Sequence, residues 1–138
     1  MVASAVLASL ILTAMSSQTP QPVPVQAAVD ALFAEPVVFI SGPLKPAAQQ
    51  RLKAHVVEWA TAWRRERSFA ALYPLYQQYI GQLAEDSTPI QRLIDLLGPP
   101  DNEARRHGQG DAVWELGPGG ALYLEANVHQ KLGGRKLK

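Results

Sequence analysis

The feature that most constrains the fold is a change of hydrophobic period at Gly98, Pro99 and Pro100. Before this point the apolar residues recur every three or four positions, as on one face of an α-helix, and after it they alternate, as in a half-buried β-strand. A glycine followed by two prolines ends a helix, because proline lacks the backbone N–H that the next turn needs. We therefore predict an α+β fold, with about three helices followed by and packed on a small antiparallel β-meander.

Three segments before the break have helical patterns. In the first, apolar residues at spacings of four, three and four form one stripe, which comprises Leu52, Val56, Trp59 and Trp63. The second covers residues 68–86, where Pro74 either kinks the helix or begins a new one. The third begins near Pro89 and ends before the two later prolines. Ahead of them, residues 27–34 permit a short helix and residues 36–40 a short strand.

Alternating patterns predict strands at residues 102–107, 111–116 and 121–128, with glycine-rich turns between them. Trp114 falls on the apolar face of the second strand, so we predict that it is buried between the sheet and the helices. The tail from Gln130 onwards is basic and broken by glycines. It either adds one more strand or frays.

The start of the chain is apolar, and no charged side chain precedes Asp30. Residues 2–15 fall short of the roughly 20 apolar residues of a membrane span and match the hydrophobic region of a secretory signal, although no basic side chain precedes them. Prolines at positions 20, 22 and 24 favour an extended spacer. We predict a signal peptide or membrane anchor at 1–16, a proline-rich spacer at 17–26, a single α+β domain at 27–138, and export to the periplasm or cell envelope.

Composition argues against several classes of function. The formal net charge is +1, from 13 basic and 12 acidic residues, whereas a nucleic-acid binder ordinarily carries a clear basic excess. The chain has no cysteine and therefore no disulfide, thiol nucleophile or cysteine-bound metal. We predict no nucleic-acid partner, and membrane contact only through the N-terminal segment if that segment is uncleaved.

No sequence pattern for catalysis is complete. His55 and Glu58 lie one helical turn apart, but a metal site needs a third ligand nearby. Glu115 and Glu125 are placed to face each other across a hairpin, where exposed sheet faces ordinarily carry such residues. A phosphate-binding loop needs a strand before it, a helix after it and a lysine, and the segment 96–126 has neither that order nor the lysine. We therefore predict no catalytic residue, no cofactor and no bound metal.

The segments LIDLLGPPD, DAVWELG and ALYLEANV, within residues 89–133, resemble the C-terminal half of small bacterial envelope proteins of the BamE (SmpA/OmlA) type. The resemblance implies helices packed on a three-stranded antiparallel sheet and an accessory, non-enzymatic role. The chain lacks the lipid-bearing cysteine that follows the signal in that family, and no functional residue carries over. With the signal-like start, this leads us to expect a small exported protein that binds a protein partner in the bacterial cell envelope.

Two alternatives stay open. The segment VVEWATAWRRERSFAALYPLY, residues 56–76, is similar to the first helices of NTF2-like cone domains. That similarity implies a ligand-binding or enzymatic pocket lined by Trp59, Trp63 and Tyr73. An immunity-type inhibitor of a secreted toxin has the same sequence features as an envelope binding protein, and the sequence does not separate the two.

The partner surface is predicted from a segment without charge. Residues 68–84 contain no charged side chain, and apolar residues surround most of the helix that they form. Such a helix is either central in a large core or covered by another molecule, and a body of about 110 residues has a limited interior. We predict that Leu75, Tyr76 and Tyr79 form an exposed patch that binds a protein partner or a second copy. The alternative is a kinked central helix whose tyrosine hydroxyls reach solvent.

Overall fold

The computed structural model of the protein describes residues 21–106, 109–126 and 131–138. Its helices are α1 (Val25–Leu32), α2 (Pro46–Glu66), α3 (Phe69–Gln78), a 3₁₀ turn (Ile80–Gln82) and α4 (Ile90–Leu97). Its strands are β1 (Val38–Phe39), β2 (Gly42–Pro43), β3 (Asn102–Arg106), β4 (Gln109–Glu115), β5 (Ala121–Ala126) and β6 (Leu132–Leu137). The predicted α+β fold, with helices followed by an antiparallel sheet, is confirmed.

The predicted signal peptide or membrane anchor and the helices of the structure are the segments that bear on contact with a membrane. Residues 1–16, the predicted signal peptide or anchor, lie outside the described residues, as do the first residues of the spacer. Across the ranges that the structure describes, every helix is too short or too polar to span a bilayer.

Strands β3 to β6 form an antiparallel meander in chain order. The register places Trp114 opposite Leu122 and Leu122 opposite Leu137, so apolar side chains of three strands share one face. Of the two alternatives for the basic tail, the additional strand is the one found, as β6. The register between β5 and β6 shifts at Glu125 and Ala126, as it does at a β-bulge.

The core lies between this sheet and the helices. Trp63 of α2 and Trp114 of β4 have no exposed surface, which confirms the predicted burial of Trp114. Helix α4 contacts β5, α1 and α2, and its side chains Leu93, Leu96 and Leu97 are fully buried. The strongly two-sided pattern of α4 therefore directs its apolar face into the centre of the molecule.

The LLGPPD segment forms the C-terminal end of α4 and the residues that follow it. Gly98 follows the last helical residue with φ 87° and ψ 176°, a conformation nearly restricted to glycine. In the usual glycine-containing cap the next backbone N–H groups bond to the last carbonyls of the helix. Pro99 and Pro100 have no N–H to offer. The last carbonyls of α4 therefore need donors from other parts of the fold.

Two tryptophan side chains supply such donors. The Nε1–H of Trp63 donates to the carbonyl of Leu97 at 2.9 Å, and the Nε1–H of Trp114 donates to the carbonyl of Gly98 at 3.0 Å. Both bonds are buried, so neither carbonyl has water as an alternative partner. The helix end is thereby joined to α2 on one side and to the sheet on the other.

Arg64 joins the same helix end to the segment before α1. Its guanidinium donates to the carbonyls of Asp95, Leu96 and Val23. Val23 also packs against the core, and α1 begins at Val25, ahead of the predicted domain boundary at residue 27. The last residues of the predicted spacer are therefore part of the folded body.

Strands β1 and β2 form a hairpin that is fixed to the end of the α3 segment. On the side away from β2, the N–H of Ile40 donates to the carbonyl of Gln82 at 2.8 Å, and the N–H of Ala84 donates to the carbonyl of Val38 at 3.0 Å. The hairpin therefore forms one wall beside the C-terminal end of α3.

Candidate functional site

Helix α3 carries the predicted partner surface, and the structure separates it into two sides. Pro74 lies inside one continuous helix, and Ser68 caps its start by accepting a hydrogen bond from the N–H of Ala71 at 3.2 Å. Leu72 and Leu75 on one side are completely buried. The helix is therefore part of the core on this side.

The prediction that Leu75 and Tyr79 lie in an exposed patch is wrong. Leu75 has no exposed surface and Tyr79 is 1% exposed. The reason is that helix α2 packs against α3, and the rings of Phe33 and Phe39 cover Tyr79. Leu75 and Tyr79 are therefore core residues and do not form an apolar surface patch.

The exposed apolar residues of α3 lie on its other side. Phe69 and Tyr73 are each 43% exposed, and their rings stack with centroids 5.7 Å apart. The neighbouring positions Ala70 and Gln77 are also exposed and carry no charge. We call Phe69, Ala70, Tyr73 and Gln77 the aromatic face, because helical spacing places all four on one side of the cylinder.

Tyr76 lies at the border between the two sides and is half-buried. Its ring packs on Gly81, where a Cβ atom would stand 3.1 Å from Tyr76 Cε1 and 2.9 Å from the Tyr76 carbonyl oxygen. Glycine is thus required at position 81. Of the three residues predicted to bind a partner, Tyr76 is the one that is partly exposed beside the aromatic face.

Tyr79 has a buried ring and an unpaired hydroxyl. The ring stacks on Phe33 at 5.6 Å between centroids and meets Phe39 edge-on at 6.4 Å. Burial raises the pKa of Tyr79 well above its usual value, so the hydroxyl keeps its proton. The hydroxyl has no hydrogen-bond partner among the described residues, where every fully buried side-chain N or O atom has one. We infer that the small exposed surface of Tyr79 is at its hydroxyl.

Tyr79 also lines a narrow cleft of about 20 Å³, which is room for about one water molecule, between α1, the β1–β2 hairpin and the loop before α4. Leu32, Leu83 and Thr88 are buried in the cleft wall, Arg92 is half-buried, and Glu35 is exposed at the rim. We call this the Tyr79 cleft. It combines an apolar floor with a hydroxyl donor and a guanidinium.

The residues proposed for an NTF2-like pocket do not come together. Trp63 is buried in the core, where its indole N–H bonds to the end of α4. Trp59 stacks on His55 at 5.3 Å between ring centroids, and Tyr73 lies on the aromatic face. In the described part of the chain, neither the Tyr79 cleft nor the grooves beside β5 and β6 are lined by any of these three side chains.

The candidate chemical groups lie apart from one another. His55 Nδ1 is 3.9 Å from Glu58 Oε2, both side chains are largely exposed, and the described residues contain no cluster of three metal ligands. Glu115 and Glu125 are not opposite each other: Glu115 pairs with Ala121, and Glu125 pairs with Gly134. The expected facing of the two carboxylates is therefore wrong, because the strand register offsets them.

Comparison with known proteins gives no relative: no family model, curated protein or solved structure matches the chain. The resemblances to the BamE type and to NTF2-like domains therefore depend only on the segments quoted above. The sequence pattern did not identify Phe69 as a surface residue or Tyr79 as a residue that lines a cleft. The signal that was present was the absence of charge from Ser68 to Ala84.

Proposed function

We propose that this protein is a small exported, non-catalytic factor that binds a protein partner in the bacterial cell envelope through the aromatic face. The observation that carries the proposal is the pair of stacked, half-exposed rings of Phe69 and Tyr73 on a segment without charge. Large aromatic side chains are enriched at the centres of protein interfaces, where charged residues are depleted. The partner surface that matches this face is apolar and uncharged.

The binding proposal is tested with a Phe69→Ser/Tyr73→Ser double variant. We expect normal folding, since exposed substitutions usually change the unfolding free energy by less than about 0.5 kcal/mol each. We also expect loss of the protein that co-purifies with the tagged parent from envelope extract. Gln78→Ser is the control variant, because Gln78 is exposed on the same helix but lies outside the aromatic face.

The comparison of the aromatic variant with the control has three informative outcomes. If the aromatic variant retains its partner at the level of the control, the aromatic face is not the contact surface. If sedimentation shows that the parent self-associates and that the aromatic variant is monomeric, the partner is a second copy. A secreted toxin as the co-purifying protein would identify the immunity-type alternative.

Export is tested separately with a fusion of residues 1–34 to a reporter that is active only in the periplasm. The neutral apolar run before Asp30 is the basis for this prediction. We expect an active reporter. A silent reporter, with an intact N-terminus recovered from the cytosol, would refute export and leave the binding proposal to its own test.

A further inference from the structure

Strand β6 forms one edge of the four-stranded sheet, and part of its outer side is unpaired. Lys138 and Ala121 exchange two backbone hydrogen bonds, of 2.9 and 3.2 Å, across β6 and β5. Such pairs alternate with non-bonded pairs along an antiparallel ladder, so the backbone groups of Lys136 also point to β5. The N–H and C=O groups of Arg135 and Leu137 therefore point away from the sheet, where they have no partner among the described residues.

The loop before α4 covers only the start of β6. The N–H of Leu132 donates to the carbonyl of Thr88 at 2.8 Å, and the N–H of Asp86 donates to the carbonyl of Leu132 at 2.6 Å. Beyond this contact lie residues 135–137, which we call the open edge. Unpaired edges of this kind bind extended peptides by strand addition, in which the backbone groups supply the hydrogen bonds.

The charged side chains of β6 are all basic. Arg135 is held on the helix side of the sheet, where its Nη2 donates to the carbonyl of Gly81 at 3.1 Å. Lys136 is exposed, and because successive side chains of a strand point to opposite faces, it lies on the outer face of the sheet. The open edge therefore presents a cation on each side of the strand.

A groove of about 380 Å³ lies beside Lys136. Its lining combines the ring of Tyr123, which pairs with Lys136 across β5 and β6, with the carboxylates of Glu85 and Glu125. Arg135 and Lys138 also line it, so the cations outnumber the carboxylates by three to two. The groove gives room to alternate side chains of an added strand, and its charge favours acidic ones beside Lys136.

Charge also distinguishes the strands that could occupy the open edge. Pairing with a second copy through β6 would bring the cations of both strands together. In the register that sets Arg135 opposite Leu137 of a second copy, the two Lys136 side chains face each other, which is destabilising. The chain's own residues before Asp30 contain no acidic side chain. An acidic strand from another protein is the complement that this edge lacks.

We propose that the open edge binds an extended segment of another protein as an added antiparallel strand, with acidic side chains at the alternate positions beside Lys136. The residues between them lie opposite Arg135 and Leu137 and exchange backbone hydrogen bonds with them. Antiparallel pairing continues the order of the sheet and is the more stable per residue. The proposal involves no residue of the aromatic face and does not rest on the proposed function.

The probe is the peptide acetyl-Glu-Val-Glu-Val-Glu-Val-Glu-amide, titrated into the ¹⁵N-labelled full-length protein at constant ionic strength and followed by amide chemical shifts. We expect saturable shifts that are largest at Arg135 and Leu137, because their N–H groups gain an acceptor. In the proposed pairing the valines direct their backbone groups to β6. Methylation of the valine nitrogens is therefore expected to abolish binding, and methylation of the glutamate nitrogens is expected to preserve it.

Lys136→Glu tests the charge of the open edge, and Lys45→Glu is the matched control, because Lys45 is an exposed lysine directly before α2. We expect the peptide to bind Lys136→Glu about ten-fold more weakly than the parent, since an opposite-charge cross-strand pair becomes a like-charge pair. Lys45→Glu is expected to bind like the parent.

Equal binding by the two variants would overturn the proposal, as would binding of the valine-methylated peptide at the strength of the unmodified one. So would the absence of saturable shifts at Arg135 and Leu137. Shifts at these residues that depend on protein concentration without peptide would assign the open edge to a second copy, and would also overturn it.

Discussion

At the scale of single residues, two indole N–H groups replace a backbone cap. The carbonyls of Leu97 and Gly98 lie where two prolines remove the usual donors, and Trp63 and Trp114 reach them from α2 and β4. These tryptophans are thus fixed by hydrogen bonding as well as by packing. The sequence indicated that Trp114 is buried, but its bond to Gly98 depends on distances between elements that no local pattern encodes.

We predict that Trp114→Phe lowers the unfolding free energy by at least about 1–3 kcal/mol, because it leaves the buried Gly98 carbonyl without a partner. Urea denaturation measures this change. Trp59→Phe is the control: the Trp59 indole is partly buried, and no hydrogen bond of its N–H is formed with the described residues. Equal effects of the two substitutions would contradict the role of the Trp114 N–H.

Gly98 and Gly134 provide a test of whether conformation or space decides the need for glycine. At Gly98 a Cβ meets nothing within 4 Å, but φ is +87°, so we predict that Gly98→Ala costs about 1–3 kcal/mol through backbone strain. At Gly134 a Cβ would stand 2.6 Å from Glu125 Oε2, the mobile end of an exposed side chain. Gly134→Ala is therefore expected to change stability by less than about 0.5 kcal/mol. A larger loss of thermal stability in Gly134→Ala than in Gly98→Ala would refute this account.

The almost complete burial of the Tyr79 side chain predicts a loss of stability at alkaline pH. Its pKa is raised in the folded state above the value of about 10 in the unfolded chain. The unfolded state therefore releases this proton first, and the contribution of Tyr79 to stability is complete below about pH 10 and declines above it. Urea denaturation between pH 9 and about 11 measures the decline, which we expect to be shallower in Tyr79→Phe. If the unfolding free energy declined equally steeply with pH in the parent and in Tyr79→Phe, the raised pKa of Tyr79 would be contradicted.

At the scale of elements, α3 shows what sequence patterning leaves undecided. Its apolar stripes, one with Leu72 and Leu75 and the other with Phe69 and Tyr73, are both free of charge. A hydrophobic pattern selects the buried face only when the opposite face is polar. The choice here depends on where α2 and the hairpin pack, which is why the patch was predicted on the wrong side.

We predict that Leu75→Ala lowers the unfolding free energy by about 2–5 kcal/mol, as expected for a buried leucine in a tightly packed core. Tyr73→Ala on the aromatic face is the matched comparison and is expected to change it by less than about 0.5 kcal/mol. Chemical denaturation of both variants measures the difference. A larger loss for Tyr73→Ala would reverse the assignment of the two sides.

At the scale of the whole molecule, the fold class followed from the change of period at Gly98, because helical and alternating patterns bury different faces. For the basic tail, the sequence left both a strand and a frayed end possible, because its glycines weaken strand propensity. The tail forms strand β6 because it pairs with the edge of β5. The Tyr79 cleft was not predicted, because its lining comes from α1, the hairpin, the end of α3 and the loop before α4. Residues so far apart in the chain share no sequence pattern.

The central claim is that the aromatic face contacts a protein partner, and site-specific photo-crosslinking in living cells tests it most directly. A photoreactive phenylalanine analogue is placed at Tyr73 and, as a control, at Glu58 of α2, whose side chain is 76% exposed. We predict one discrete adduct with another protein from position 73 and none from position 58. No adduct from position 73, or the same adduct from both positions, would contradict the claim.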